Sequence, residues 1–324
     1  MLLKNSQTRI IFISLLIFIG LARLVAVLAN TPTIHIEAES ANIAGSAISV
    51  TDASASNGKY LKFSESDSSS SPSGQAVPQG NLPGWRQVFA EDFTLDAPLG
   101  SWGSECDGSR IAYTGALGTQ WRSYPQCYRD TYQSRPYRAD QVLSVHDGIL
   151  DFHLHKVDGQ PAGANPSPLI KNGSQYQTYG RYAARFRVTN ANALSDYYVA
   201  WLLWPQSENW NGNGPGDGEI DFPEGHLNGT VGGFHHCLFN NSQNCGWANT
   251  NGATFDSWHT YVIEWTPQAV RFLLDGQVVM NYTDQSNIPN TPMRWQLQTE
   301  TNGPGDNNGS GNLELDWVAV YEPI

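Results

Sequence analysis

Gly218-Glu219-Ile220-Asp221-Phe222-Pro223-Glu224-Gly225 sets three carboxylates within six residues of a stretch that otherwise reads as a buried strand, in a chain of which only 15% of residues are charged. Acids are costly in such a place unless they are paired or put to use. Side chains on a strand alternate faces, so Glu219 and Asp221 share one face. Glu224, an odd number of residues from both, is then directed to the other. Pro223 changes that expectation, because proline cannot donate a ladder hydrogen bond and sits in sheets mainly at edges and bulges. One extra residue at Phe222-Pro223 returns Glu224 to the face of Glu219 and Asp221.

A Glu-Asp-Glu row on one face suits cleavage of a glycosidic bond with retention, which needs two carboxyls about 5–5.5 Å apart, one nucleophilic and one protonating. The α-carbons of an effective i, i+4 pair lie roughly 13 Å apart in a strand. Two glutamates leaning together narrow that gap, and shorter aspartates do not. Asp221 between them holds Glu219 through a shared proton, and its charge keeps Glu224 protonated near neutral pH. Such a cluster titrates as a unit. A solvated acidic strand or a calcium site is the alternative, since hard cations also take clustered carboxylates.

Around this run the chain resembles glycoside hydrolase family 16, whose signature is Glu-Ile-Asp-x-x-Glu. Further landmarks follow in order: an opening strand at Gln87–Phe93, a strand feeding the cleft at Tyr179–Phe186 and a tryptophan strand at Trp201–Pro205. A back-sheet hairpin at Trp258–Pro267 and Val270–Gly276 and a last strand at Leu315–Tyr321 complete the set, so the resemblance covers about Pro83 to Ile324. Two departures stand beside the site: Phe222-Pro223, where most relatives carry a large aliphatic residue or Met, and Trp204.

The resemblance implies a β-jelly-roll endoglycanase of the laminarinase and lichenase type, in a family that also includes agarases and carrageenases. It implies Glu219 as nucleophile, Glu224 as acid/base and Asp221 between them. For substrate binding it points to Trp201, and to His235 with His236 close behind and Gln298 as a similar cleft candidate; a histidine hydrogen-bonded in the sheet is the alternative. It also implies a structural calcium on the convex side, held by Asp316 and the Gly148 backbone, against the alternative of a hydrogen-bonded Asp316. No cofactor is expected for catalysis.

The residues themselves agree on the fold class. From Trp85 onward the chain runs in short alternating segments with turn signals and no long 3.6-residue period, which predicts an all-β domain of two stacked antiparallel sheets. Val142–His155 and Val270–Tyr282, broken by Asp147-Gly148 and Asp275-Gly276, predict hairpins. Eleven tryptophans exceed what a core needs, and flat rings match the C–H faces of sugars. Besides Trp201 and Trp204, the platform candidates are Trp210, Trp247 and Trp295, while Trp265 and Trp317 read as structural.

The rest of the chain reads as four parts: a leader (1–29), a short β-rich appendage resembling a piece of a carbohydrate-binding module (30–66), a Ser/Pro/Gly-rich linker (67–82) and the catalytic domain (83–324). Lys4 and Arg9 precede an apolar run from Ile10 to Ala22, and Val27-Leu28-Ala29 offers a cleavage site. Export is expected, giving an extracellular protein, or one tethered at the cell surface if the segment stays as an anchor. Four cysteines then pair locally, Cys106 with Cys127 and Cys237 with Cys245. The net charge of −12 and isoelectric point near 5.0 argue against nucleic-acid binding. A monomer acting on a polysaccharide, β-1,3-glucan first and mixed β-1,3/1,4-glucan second, is the expectation; galactan cleavage, glycosyl transfer and non-catalytic glucan recognition are the alternatives.

Overall fold

The computed structural model describes residues 47–51, 55, 58–63, 71–103, 110–124, 128–171, 173–210, 217–238 and 244–324. The leader, the Cys106–Cys127 pair and most of the 30–66 appendage lie outside them. Two compact units divide the chain, 1–66 and 67–324. In the first, β1 (Ala47–Thr51) and β2 (Lys59–Phe63) form an antiparallel pair with Ala47 opposite Phe63.

The second unit carries β3 (Trp85–Glu91), β4 (Tyr113–Thr114), β5 (Gln120–Arg122), β6 (Leu143–His146), β7 (Ile149–Val157), β8 (Gln160–Ala162), β9 (Ser167–Pro168), β10 (Tyr176–Gln177) and β11 (Gly180–Thr189). It continues with β12 (Tyr197–Pro205), β13 (Ile220–His226), β14 (Gly232–His236), β15 (Asn244–Trp247), β16 (His259–Trp265), β17 (Val270–Leu274), β18 (Gln277–Tyr282), β19 (Met293–Thr301) and β20 (Gly311–Pro323). One short helix, α1 (Ala139–Val142), is the α-helix among the described residues. The front sheet runs β10-β19-β12-β13-β14-β15, and the back sheet runs β18-β17-β16-β11-β20-β7-β6 with β3 paired to β20 and β8 to β7. This is an all-β jelly-roll sandwich.

Both expected hairpins form. Asp147 and Gly148 have φ of 52° and 74°, and Asp275 and Gly276 of 48° and 79°. Positive φ at both central residues is what a two-residue turn of this hand requires.

Alternation fills the space between the sheets with aromatic rings. Phe222 stacks on Phe272 at 4.9 Å, bridging front and back, and within the back sheet Phe186 stacks on Tyr261 at 4.3 Å. The back sheet also has a covered outer face, where Val77 packs with Ala183, Val262, Trp317, Ala319 and Tyr321. The stretch read as a linker thus supplies, from Ser71 onward, a strap over that face. Its anchors are hydrogen bonds: Ser71 Oγ donates to Asp316 at 2.7 Å, Arg185 Nε to Ser73 Oγ at 2.7 Å, and Trp317 Nε1 to the Gln75 carbonyl at 2.7 Å. Composition hid this, because the strap is held mainly by polar groups on small residues.

Asp316 owes its position to a bulge. Leu315 pairs with Phe186 and Trp317 with Arg185, so Asp316 is the extra residue. Its Oδ2 accepts from both the Ser71 hydroxyl and the Ser73 amide, while Pro72 packs beside Gly148. These two donors satisfy that oxygen as a hydrogen-bonded Asp316, the alternative to a calcium ligand, and nothing below is routed through a calcium.

Candidate active site

The register around β13 resolves the parity of the acidic run. Leu202 pairs with Asp221 and Ala200 with Glu224; on the other side Phe234 pairs with Asp221 and Gly232 with Glu224. Each neighbour advances two residues while β13 advances three. The surplus falls at Phe222-Pro223, whose peptide bond is cis. Phe222 points into the core, and Asp221 and Glu224 share the opposite face. Gly233 permits this, since a Cβ there would sit 2.5 Å from the Phe222 ring.

Glu219, Asp221 and His236 converge. His236 Nε2 lies 2.8 Å from Asp221 Oδ2 and 4.0 Å from Glu219 Oε2, and Glu219 and Asp221 are hydrogen-bonded to each other. One atom from each of the three falls within 4.8 Å of the others. An imidazole in that set is a poor match for calcium, which takes oxygen ligands. Burial pushes both acids well above the usual carboxylate range, and each is raised further by a neighbouring carboxylate. Asp221 is sealed at 2% exposure, whereas Glu219 opens onto the cleft. The hydrogen bond between them raises Glu219 and lowers Asp221, whereas exposure to the cleft favours charge on Glu219 over sealed Asp221; Glu219 ionises when the pair's proton passes to Asp221.

Glu224 stands apart from that trio. Tyr198 donates to its Oε1 at 2.8 Å, while Oε2 is buried with no partner among the described residues. A carboxylic acid that accepts at Oε1 carries its hydrogen on Oε2. Burial lifts the Glu224 pKa to about 7, against the lowering effect of the Tyr198 hydrogen bond and of His236. Glu300 adds to the rise, and Glu224 and Asp221 repel each other as well, so that Glu224 in turn raises Asp221. Glu300, itself raised to about 7 by burial, accepts from the Thr131 amide at 2.9 Å and from Tyr137 at 3.4 Å.

Tyr198→Phe tests this geometry. A hydrogen bond donated to a carboxylate favours its charged form, so its loss raises the Glu224 pKa. The alkaline limb of the pH–rate profile is expected to move upward, with kcat reduced about tenfold or more, the scale of a hydrogen bond to a charged group. A limb that stays in place would detach Tyr198 from the titrating acid.

A pocket of about 240 Å³ opens beside Glu219, lined by Trp204, Gln296 and Gln298 and closed by Arg294 and Tyr124. Trp204 donates to Glu208 at 2.8 Å and its ring lies 6.2 Å from Trp210, which meets His236 edge-on. Arg294 is ion-paired to Glu208. Gln298 is cross-strand from Ala200 and so faces the cleft with Glu224.

Three expected binding residues are corrected. Trp201 is fully buried between the sheets against Phe186 at 4.4 Å, because the even-numbered residues of β12 face the cleft and the odd ones the core. Removing such a ring costs about 3–5 kcal/mol, so Trp201 supports the fold. Trp295 is buried likewise. His235 pairs with core-facing Ile220, so it too points inward; its Nε2 bonds the Asn287 carbonyl and desolvation lowers its pKa to about 4. His236 is the cleft histidine. Asp316 and Gly148 lie on the other sheet, at the strap. Tyr198 and Glu300 escaped the sequence reading, although Tyr198 shares its parity on β12 with Trp204.

Comparison with known proteins bears on the same region. The model of glycosyl hydrolases family 16 matches residues 132–319. The chain is 33% identical over 78 residues to "Probable glycosidase CRR1" of Saccharomyces cerevisiae, covering 20% of this chain and 18% of that protein. It is 27% identical over 150 residues to a beta-glucanase of Rhodothermus marinus, covering 44% and 50%. These matches span half or less of the relatives' own length. Among solved structures, SCLam, a non-specific endo-beta-1,3(4)-glucanase, superposes with a TM-score of 0.54 at 18% identity over 77% of this chain and 94% of that one.

Proposed function

The chain belongs to glycosyl hydrolases family 16, and from that membership we propose that it is an extracellular endo-acting β-glucanase that cleaves β-1,3- or mixed β-1,3/1,4-glucan with retention. The observation that carries the reading is the bulge that sets Glu224 on the face of Asp221 and Glu219. It supplies two glutamates with different environments, one ionising beside a sealed aspartic acid and one holding a proton near neutral pH.

In this mechanism Glu219 attacks the anomeric carbon as the glycosidic C–O bond breaks, and the proton of the Glu224 carboxyl passes to the leaving oxygen. A glycosyl ester on Glu219 results. Glu224, now a carboxylate, takes a proton from water, whose oxygen attacks the same carbon and releases Glu219. Replacing that water by a sugar hydroxyl gives transfer instead of hydrolysis. His236 orients Asp221, and Asp221 holds the pair proton. The leader segment and the Cys237–Cys245 disulfide, with α-carbons 5.1 Å apart, support export.

Incubation with laminarin, lichenan, agarose and carrageenan, followed by reducing-end release, tests the activity. Release from the first two is expected; no release from any would leave a glucan-binding protein. NMR of the first product should show the β-anomer, and an initial α-anomer would rule out double displacement.

A further inference from the structure

The glucanase reading leaves one arm of the cleft without an assigned purpose. Gln296, Leu202, Asp221, Phe234 and Trp247 are successive cross-strand partners over β19, β12, β13, β14 and β15. Side chains of directly paired residues share a face, so the five form one row across the front sheet with the catalytic Asp221 at its centre. Strands lie about 4.8 Å apart, which places Trp247 roughly 10 Å from the Asp221 position along the row.

Trp247 is 62% exposed and is the only exposed tryptophan among the described residues. A single exposed ring is unremarkable in itself. Its alignment with the carboxylates is what gives it meaning, because Phe234, half-exposed, fills the step between. The Cys237–Cys245 disulfide ties β14 to β15 two residues before Trp247, fixing the two strands that carry the rings. Pre-organised rings lose little conformational freedom on binding.

The polarity of the cleft follows from Glu219. The pocket it lines lies over β12 and β19, so the sugar whose anomeric carbon it attacks rests there. Phe234 and Trp247 stand on the opposite side of β13, where the departing part of the glycan must lie. We propose that Phe234 and Trp247 form a stacking platform for the leaving-group side of a neutral β-linked hexopyranose chain, and that the same platform receives an acceptor sugar when transfer replaces hydrolysis. The proposal rests on the glucanase reading. Flat apolar rings engage the C–H faces of such sugars.

The test compares two substrates on the full chain. One is the glucan polymer that the wild type cleaves; the other is an oligosaccharide of the same linkage with a nitrophenol leaving group, which places no sugar on the platform. Trp247→Ala and Phe234→Ala are expected to raise KM for the polymer roughly three- to tenfold, the range of an aromatic contact, and to lower transfer to an added acceptor oligosaccharide. Activity on the nitrophenyl substrate should stay unchanged, and Trp247→Tyr should keep most of the polymer affinity. An active wild type whose variants lose neither polymer affinity nor transfer overturns the platform alone. So does an equal fall on both substrates. A wild type inert on every glycan overturns the glucanase reading and the platform with it.

Discussion

Glu219→Ala is expected to reduce turnover of β-glucan on the order of 10⁶-fold, the scale seen when a covalent nucleophile is removed, while leaving polymer affinity within about threefold of wild type. The separation follows from the geometry. Glu219 occupies one edge of the pocket, and Trp204, Gln296 and Gln298, which contact the same space, remain. The variant also relieves a crowded site, since Asp221 and Glu224 both raise the Glu219 pKa on top of its burial. Azide, small enough for the vacated space, should restore turnover of a nitrophenyl substrate and yield the α-glycosyl azide, because it attacks from the face that Glu219 used. Isothermal binding and product NMR read the two arms. Retained hydrolysis would mean that another carboxylate attacks.

Glu224→Gln should lower kcat/KM on polymer by about 10²–10⁴-fold, the usual worth of general acid catalysis. Its pH signature is the sharper test. The acid must be protonated to act, and its pKa is about 7, so wild-type kcat/KM should fall about tenfold per pH unit above that value, with a separate acid limb where Glu219, itself raised by burial, takes up a proton. The sign follows from burial, which disfavours the carboxylate. In the Gln variant the alkaline limb should vanish, since an amide does not titrate. Substrates with a nitrophenol leaving group, which depart without a proton, should be far less affected. An alkaline limb that survives in Glu224→Gln would belong to a different group, with Glu300 the nearest candidate at about 7.

Much of this molecule is legible in its sequence because the interactions that encode it are local. Alternating apolar residues and Asp-Gly turns specify strands and hairpins by steric preference over two to five residues, and they formed at Asp147-Gly148 and Asp275-Gly276. The acidic run announced its own conflict with strand parity, and Pro223 marked where it is relieved. Binding residues were less readable. Trp201 and His235 sit one residue from the cleft-facing positions, and in a period of two that is the difference between a sugar platform and a core side chain. Asp316 showed an acid in an apolar strand, but its partners Ser71 and Ser73 are more than 240 residues away in sequence.

The sequence by itself therefore determined the sheet-forming segments, their turns and the three carboxylates. Only the tertiary structure decided which face each neighbouring residue takes, that Tyr198 and Glu300 set the environment of Glu224, and that His236 rather than His235 meets Asp221. The physical reason is register. A strand's alternation is written in its own residues, but which of its two faces becomes the cleft depends on how it pairs with strands far along the chain, and a one-residue bulge such as that at Phe222-Pro223 reverses the answer for everything beyond it.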